Sequence, residues 1–360
     1  MSWIQALDVK IQAALTASIV TLLGIFLKDY VFQMLKERRD HSKSTHDVYK
    51  KYAEPLAASA ESMFWRLNEI FNVKGRAHFL IRSDVATGFE DYKYKSTLYR
   101  LASLIGWIYA IKKEQSYMKP VDRTSQTSLS ESIRVFESAL ADGPHVEAER
   151  LSRLIELWSL ECTPEKSIDL SIAFEKMHKS FLKRKNVNLA TDLCDQDLFD
   201  LCRECANFLC TQLNFNHLRD DLIRETMQQT ARRLSIREAW IYRDWQSGIG
   251  ELMVRKSGSE TRDFDIIGFK KFESMLDSDN SEVSKWISRI ENTFKDVDVE
   301  KLDGQDVRVE QIRATFNAVS KLIVELNNSG LEVSPFSDQT IAAAEANKAQ
   351  PVWNGLTPVQ

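Results

Sequence analysis

The residues of this chain most suited to chemistry fall in two short stretches. Cys202-x-x-Cys205, with Cys194, Cys210 and His217 close by, has the composition of a zinc site. Zinc needs four ligands converging tetrahedrally. Here Cys202 and Cys205 share one expected helix with Leu198, Leu201 and Leu209, and Cys202, Cys205 and Leu209 fall on a single apolar face. The spacing therefore makes ordinary buried thiols the default reading, with a metal site as the alternative. The second stretch is Trp240-Ile241-Tyr242-Arg243-Asp244-Trp245. Aromatic faces beside a guanidinium can stack on a planar ligand and hold an anion. The same composition also makes core aromatics with a buried ion pair. Trp240, Tyr242 and Arg243 are the candidate ligand-binding residues here. Lys179, Lys183, Arg184 and Lys185, in a basic run that begins at Lys176, are candidates to hold phosphate groups, or else form a solvated helix face. Arg219, Arg224, Arg232 and Arg233 form a similar set, interleaved with Asp220, Asp221 and Glu225. No phosphate-binding glycine loop, nucleophile elbow or HExxH helix occurs, and the six histidines are scattered. Neither a catalytic residue nor a cofactor is expected.

The elements that must carry these residues are helical. With 12 Gly and 7 Pro in 360 residues, turns are too few for an all-β fold. A net charge of −4 makes no general demand for nucleic acid. Four of the five cysteines lie within Cys194–Cys210, which suits a reducing compartment better than a disulfide framework. Apolar periodicity predicts helices over 44–71, 97–114, 125–140, 146–160, 164–185, 197–213, 218–234, 269–276, 281–294 and 309–327. Residues 250–254 and 264–268 read as a short β-hairpin, or as a helix end and a loop. Asp142-Gly143-Pro144 is the clearest internal break, and from about residue 333 the chain turns polar and is expected to be a poorly ordered tail, 333–360.

Ile11 to Leu27 contains no charge, and at about 1.5 Å per residue it spans about 25 Å, the short end of a bilayer core. A transmembrane helix with its juxtamembrane extension is expected over 11–35. A buried core helix is the competing reading. Lys10 precedes the segment, whereas Lys28, Lys36, Arg38, Arg39, Lys43, Lys50 and Lys51 follow it. That asymmetry places residues 1–10 outside the membrane and a helical domain, 36–332, in the cytoplasm. Ala13, Ala17, Thr21 and Gly24 form a small-residue face that favours self-association. With Gln12 and Thr16 it is the candidate oligomer or pore face. The expected fold is thus mainly α, one N-terminal transmembrane helix followed by a large cytoplasmic helical domain.

Four stretches taken in order carry a resemblance: Tyr52-x-x-Pro55-Leu56 leading to Arg66-Leu67-x-x-Ile70; Ser96-Thr97-Leu98-Tyr99-x-Leu101-Ala102 leading to Gly106-Trp107; Trp240-Ile241-Tyr242-Arg243-Asp244; and Ile249-Gly250-Glu251-Leu252-Met253. Between about Tyr52 and Leu326 the chain resembles an uncharacterised bacterial family of single-pass, membrane-anchored helical proteins. Its plan is also similar to membrane effectors of anti-phage systems, the Hailong channel type among them. That likeness is architectural. It implies an oligomeric bacterial inner-membrane effector or ion channel gated by a nucleotide, an oligonucleotide or a second protein of the same system. A non-catalytic tethered scaffold or sensor subunit is the alternative.

Overall fold

The computed structural model describes residues 47–81, 87–116, 128–143, 145–258, 261–278, 280–301, 305–331, 333 and 335–348, together with Ser18, Val20, Lys28 and Tyr30. The protein is mainly α. Helix α1 covers residues 47–72. It is followed by α2 (Gly88–Ser116), α3 (Ser128–Ala141), α4 (Val146–Leu157), α5 (Pro164–Arg184), α6 (Asp195–Leu213), α7 (Asp220–Leu234) and α8 (Arg243–Met253). An antiparallel pair, β1 (Val254–Lys256) and β2 (Phe264–Ile266), precedes α9 (Phe269–Leu276), α10 (Ser281–Phe294), α11 (Arg308–Asn328) and α12 (Asp338–Lys348).

Local chemistry sets several of these boundaries. Thr87 and Glu90 open α2 as a reciprocal cap. The Thr87 hydroxyl accepts from the Glu90 N–H at 3.3 Å, and the Thr87 N–H donates to Glu90 Oε2 at 2.8 Å. This cap extends the helix two turns before the start that periodicity alone suggests. Pro164 stands at the first turn of α5, where its missing N–H costs nothing. The Asn280 side chain caps α10 by accepting from Glu282 N at 3.0 Å. Asn214 ends α6 in the left-handed region, at φ 60°.

The apolar side chains gather into two large clusters. One draws on α1, α2, α3 and α8 through α12, with α2 and α11 buried along most of their length. The other is built from α4 to α7 and the turns that join them. The second unit is thus an insertion between α3 and α8. Val146, Ile236, Trp240 and Val307 form a small apolar seam where the units meet.

Two sequence expectations are corrected. The first hairpin strand does not begin at Gly250. Residues 250–253 finish α8, and only Val254–Lys256 pair with β2. Glycine lets α8 close on α2: a Cβ on Gly250 would run into Tyr109, and one on Gly106 would stand 2.8 Å from Met253 Cβ. The expected poorly ordered tail, 333–360, contains α12, which packs on α11. Its Asn347 amide donates to Asn317 Oδ1 at 3.1 Å and Ser320 Oγ at 2.8 Å, and its Thr340 hydroxyl donates to Glu61 at 2.7 Å. Small side chains supply this contact, so hydropathy does not announce it. Residues 349–360 lie outside the described residues.

The expected membrane segment, 11–35, also lies outside them, apart from Ser18, Val20, Lys28 and Tyr30, which are helical and exposed. Gln12, Ala13, Thr16, Ala17, Thr21 and Gly24 are not among the described residues. No described helix is long and apolar enough to cross a membrane.

Candidate ligand-binding cleft

The return from the second unit to the first, residues 235–242, is held by backbone and buried amide bonds. Arg237 N donates to Gln305 O at 2.7 Å, and Val307 N donates to Arg237 O at 3.0 Å. Ile241 N donates to Leu140 O at 2.9 Å. The fully buried Gln311 amide donates to Leu140 O at 3.0 Å and to Ala239 O at 2.9 Å. The Trp240 ring lies against Gly143, where no Cβ would fit, and its indole N–H donates to Glu238 Oε2 at 2.9 Å. Buried Arg150 of α4 donates to Leu234 O at 3.0 Å, Ile236 O at 2.7 Å and Glu175 Oε1 at 2.7 Å. A segment satisfied at this many points is pre-organised.

Above this floor lies a cavity of about 780 Å³ between the units. That volume lies within the range of small-molecule sites. One wall comes from the second unit, with Arg150, Lys179, Asn188 and Asp192; the other comes from the first, with Trp245, Arg289, Asn292, Lys295 and Arg308. Six cations (Arg150, Lys179, Arg237, Arg289, Lys295, Arg308) face three carboxylates (Asp192, Glu238, Asp296), so the lining carries an excess of positive charge.

The six cations are not equivalent. Arg150 is spent on carbonyls and Glu175. Arg308 is spent on Asp306 and on the carbonyls of Asn292 at 2.8 Å and Lys295 at 2.7 Å. Arg289 and Lys295 have no carboxylate partner among the described residues. The Arg289 guanidinium lies 3.7 Å from the Trp245 ring centroid, and Tyr242 stands 5.4 Å from the same indole. Tyr242 is 53% exposed. Partial burial, then Glu238 and Glu147, pushes its phenol up, so it stays protonated at neutral pH. The cleft can therefore stack a planar group beside an anion.

Of the residues singled out in the sequence, Lys179, Trp240 and Tyr242 meet in this cleft. The others go elsewhere. Arg243 turns to α3, donating to both Asp142 oxygens at 2.9 and 2.8 Å and to Ser138 Oγ at 3.0 Å. Arg184 pairs with Glu204 at 3.1 Å, and Lys185 with Asp197 at 2.7 Å. Lys183 lines a separate groove on α5, of about 480 Å³, together with Ile172, Lys176 and Lys179. Arg150, Arg237, Arg289, Lys295 and Arg308 escape sequence reasoning because α4, the connector, α10 and α11 are far apart in the chain. The one local signal is Arg150, a charge beside the apolar stripe of α4.

Cys202, Cys205 and Cys210 are buried in the second cluster and Cys194 is exposed. Burial pushes the Cys202 thiol up to about 12 and Cys205 well above its ordinary value, so both are neutral packing groups. His217 pairs with Asn207 at 3.0 Å. Among the described residues no group of His, Cys, Asp and Glu is arranged to hold a metal.

The fold and the cleft define a class: a mainly helical protein of two packed units with a cationic, aromatic cleft between them. No family model matches the chain, and no curated protein or solved structure is detectably similar to it.

Proposed function

We propose that the chain is the ligand-responsive subunit of an oligomeric bacterial inner-membrane effector, with an anionic ligand of nucleotide type bound in the cleft. The observation that carries this reading is the cleft itself. Its walls come from separately packed units, it is rich in cations, and it presents Tyr242, Trp245 and Arg289 to a planar group. A ligand that touches both walls favours one arrangement of the units over another, and gating requires that difference in affinity. Helix α1 belongs to the first core and follows the 11–35 segment, so a shift of the units reaches the membrane element through it. The resemblance to single-pass membrane-anchored proteins and the small-residue face from Ala13 to Gly24 support the membrane and oligomer parts.

The test is a size measurement in mild detergent, with mass spectrometry for a co-purifying nucleotide. An oligomer is expected to carry the ligand in the native chain and lose it in the Arg289→Ala/Lys295→Ala double variant. A monomer in detergent, together with an Ala17→Leu variant that leaves toxicity on expression unchanged, would refute the oligomeric effector. A chain that stays in the supernatant when membranes are pelleted would refute the anchor.

A non-catalytic tethered scaffold is the second reading. What favours it is the outer face of α5, where Ile168 and Ile172 are 68% and 58% exposed beside Lys176 and Lys183. A scaffold keeps its function when residues 11–35 are replaced by an unrelated anchor, and the gated effector does not.

A further inference from the structure

Beneath the cleft lies a group that the proposed ligand does not touch. His178 of α5 is 1% exposed, and neither ring nitrogen has a hydrogen-bond partner among the described residues. Buried polar groups of this kind are rare and call for an explanation. Its charged neighbours are few. Glu175 and Lys179 lie on its own helix, and Arg150 reaches it from α4. From the connector, Glu238 bears on the cluster only through Arg150, at 3.9 Å. From α6, the neighbour of the Phe174 ring that stacks on His178 is the uncharged Phe208.

Glu175 is the hub. Its Oε1 accepts from Arg150 at 2.7 Å and faces the Lys179 ammonium at 3.5 Å, while its Oε2 faces His178 Nδ1 at 3.7 Å, too far for a hydrogen bond. Lys179 is the member open to the cleft. Its side chain is 52% exposed and lines the cleft, whereas Arg150 is locked by carbonyls.

We propose that the cleft takes up its anionic ligand together with a proton, which His178 accepts when Lys179 leaves Glu175 for the ligand. The inference rests on the cleft being an anion site. An anion drawing Lys179 into the cleft neutralises one of the two cations that disfavour imidazolium. The same movement releases the Glu175 carboxylate from Lys179, so that its Oε2, already without a partner among the described residues, turns to accept from a protonated His178 Nδ1. Both changes favour the charged ring. Binding and protonation then strengthen each other by the same factor. Affinity rises as pH falls through the interval between the bound-state and free-state titrations of His178, and is level on either side. Burial, Arg150 and Lys179 together already lower the proton affinity of His178 in the empty protein, which leaves room for that rise.

The experiment is an NMR titration of the full-length chain labelled in its histidine rings and tryptophan indoles. Sulfate serves as the probe because its charge is constant across the range. Sulfate should perturb the Trp240 and Trp245 indoles and raise the His178 midpoint, on the order of one pH unit. Lys179→Met should raise the midpoint without sulfate and abolish the further rise on adding it. Indoles that respond while His178 keeps its midpoint overturn the proton coupling and leave the anion cleft standing. Indoles and His178 that both ignore sulfate overturn the cleft reading itself. A Lys179→Met midpoint unchanged or lowered overturns the coupling whatever sulfate does.

Discussion

His178 and Glu175 give the second unit an acid sensitivity that the rest of its core lacks. In the folded protein the proton affinity of His178 is lowered from the ordinary 6.5 by burial, with Arg150 and Lys179 adding to it and Glu175 opposing. The unfolded chain therefore binds this proton first as pH falls. The contribution to stability is complete above 6.5 and drains away below it. Glu175 has a lower window. Burial opposes its charge, but the facing imidazole, Arg150 and Lys179 overcome that and hold the carboxyl at about 2, so its contribution is lost only as pH falls from 4.5 toward 2. Thermal melts at about pH 7.5 and about pH 5.5 should show the native chain losing stability, and His178→Leu should remove most of that difference. A native chain equally stable at both pH values would contradict this account. Lys179, Trp240 and Tyr242 are legible in the sequence as binding candidates because aromatic and basic residues cluster locally there. Arg289 and Lys295 are not legible, since each is one cation among many on α10 and the turn after it. The sequence pattern also shows Cys202 and Cys205 as one apolar face, and both are buried in the second unit.

At the scale of elements, the crossing of α2 and α8 is the contact most sensitive to a single methyl group. Gly250 receives Tyr109, whose side chain fills the place that a Cβ there would take. Gly250→Ala should cost about 1–3 kcal/mol through overpacking, read as a lower midpoint in urea with an unchanged slope. Gly258→Ala, with open space around its Cβ, is the control and should stay near the native midpoint. The same glycine explains why α8 is hard to read in the sequence. Leu252-Met253-Val254 is a short continuous apolar run, which reads as a strand as readily as a helix end, and helix propensity penalises Gly250. What selects the helix is tertiary: Ile249 and Met253 are buried on the α2 side. Helices α9 and α10 have boundaries that match the periodicity, because each exposes one face and buries the other. Helix α12 escapes it because Thr340, Ala344 and Asn347 are its buried side chains, and two of the three are polar.

At the scale of the whole molecule, the described residues of the two units share no large apolar core, so the seam between them depends on directional bonds. Among the described residues the seam cluster holds Val146, Ile236, Trp240 and Val307, so Arg150 and Gln311 carry much of the registration. Arg150 is the more exposed to failure. Removing its guanidinium leaves the Leu234 and Ile236 carbonyls without that donor and the Glu175 carboxylate facing only Lys179 and His178. Breaking a buried ion pair from one side costs about 3–5 kcal/mol. The two units have separate cores, so this loss should not spread evenly. In Arg150→Met, amide exchange should accelerate across residues 234–242 and in α4 and α5, while the buried stretches of α2 and α11 keep their protection. Gln311→Leu should speed exchange at the connector from the other side, by freeing the Leu140 and Ala239 carbonyls. If Arg150→Met instead unfolded both units in one transition, the seam would be part of a single cooperative core, and a ligand in the cleft could not act by shifting one unit against the other.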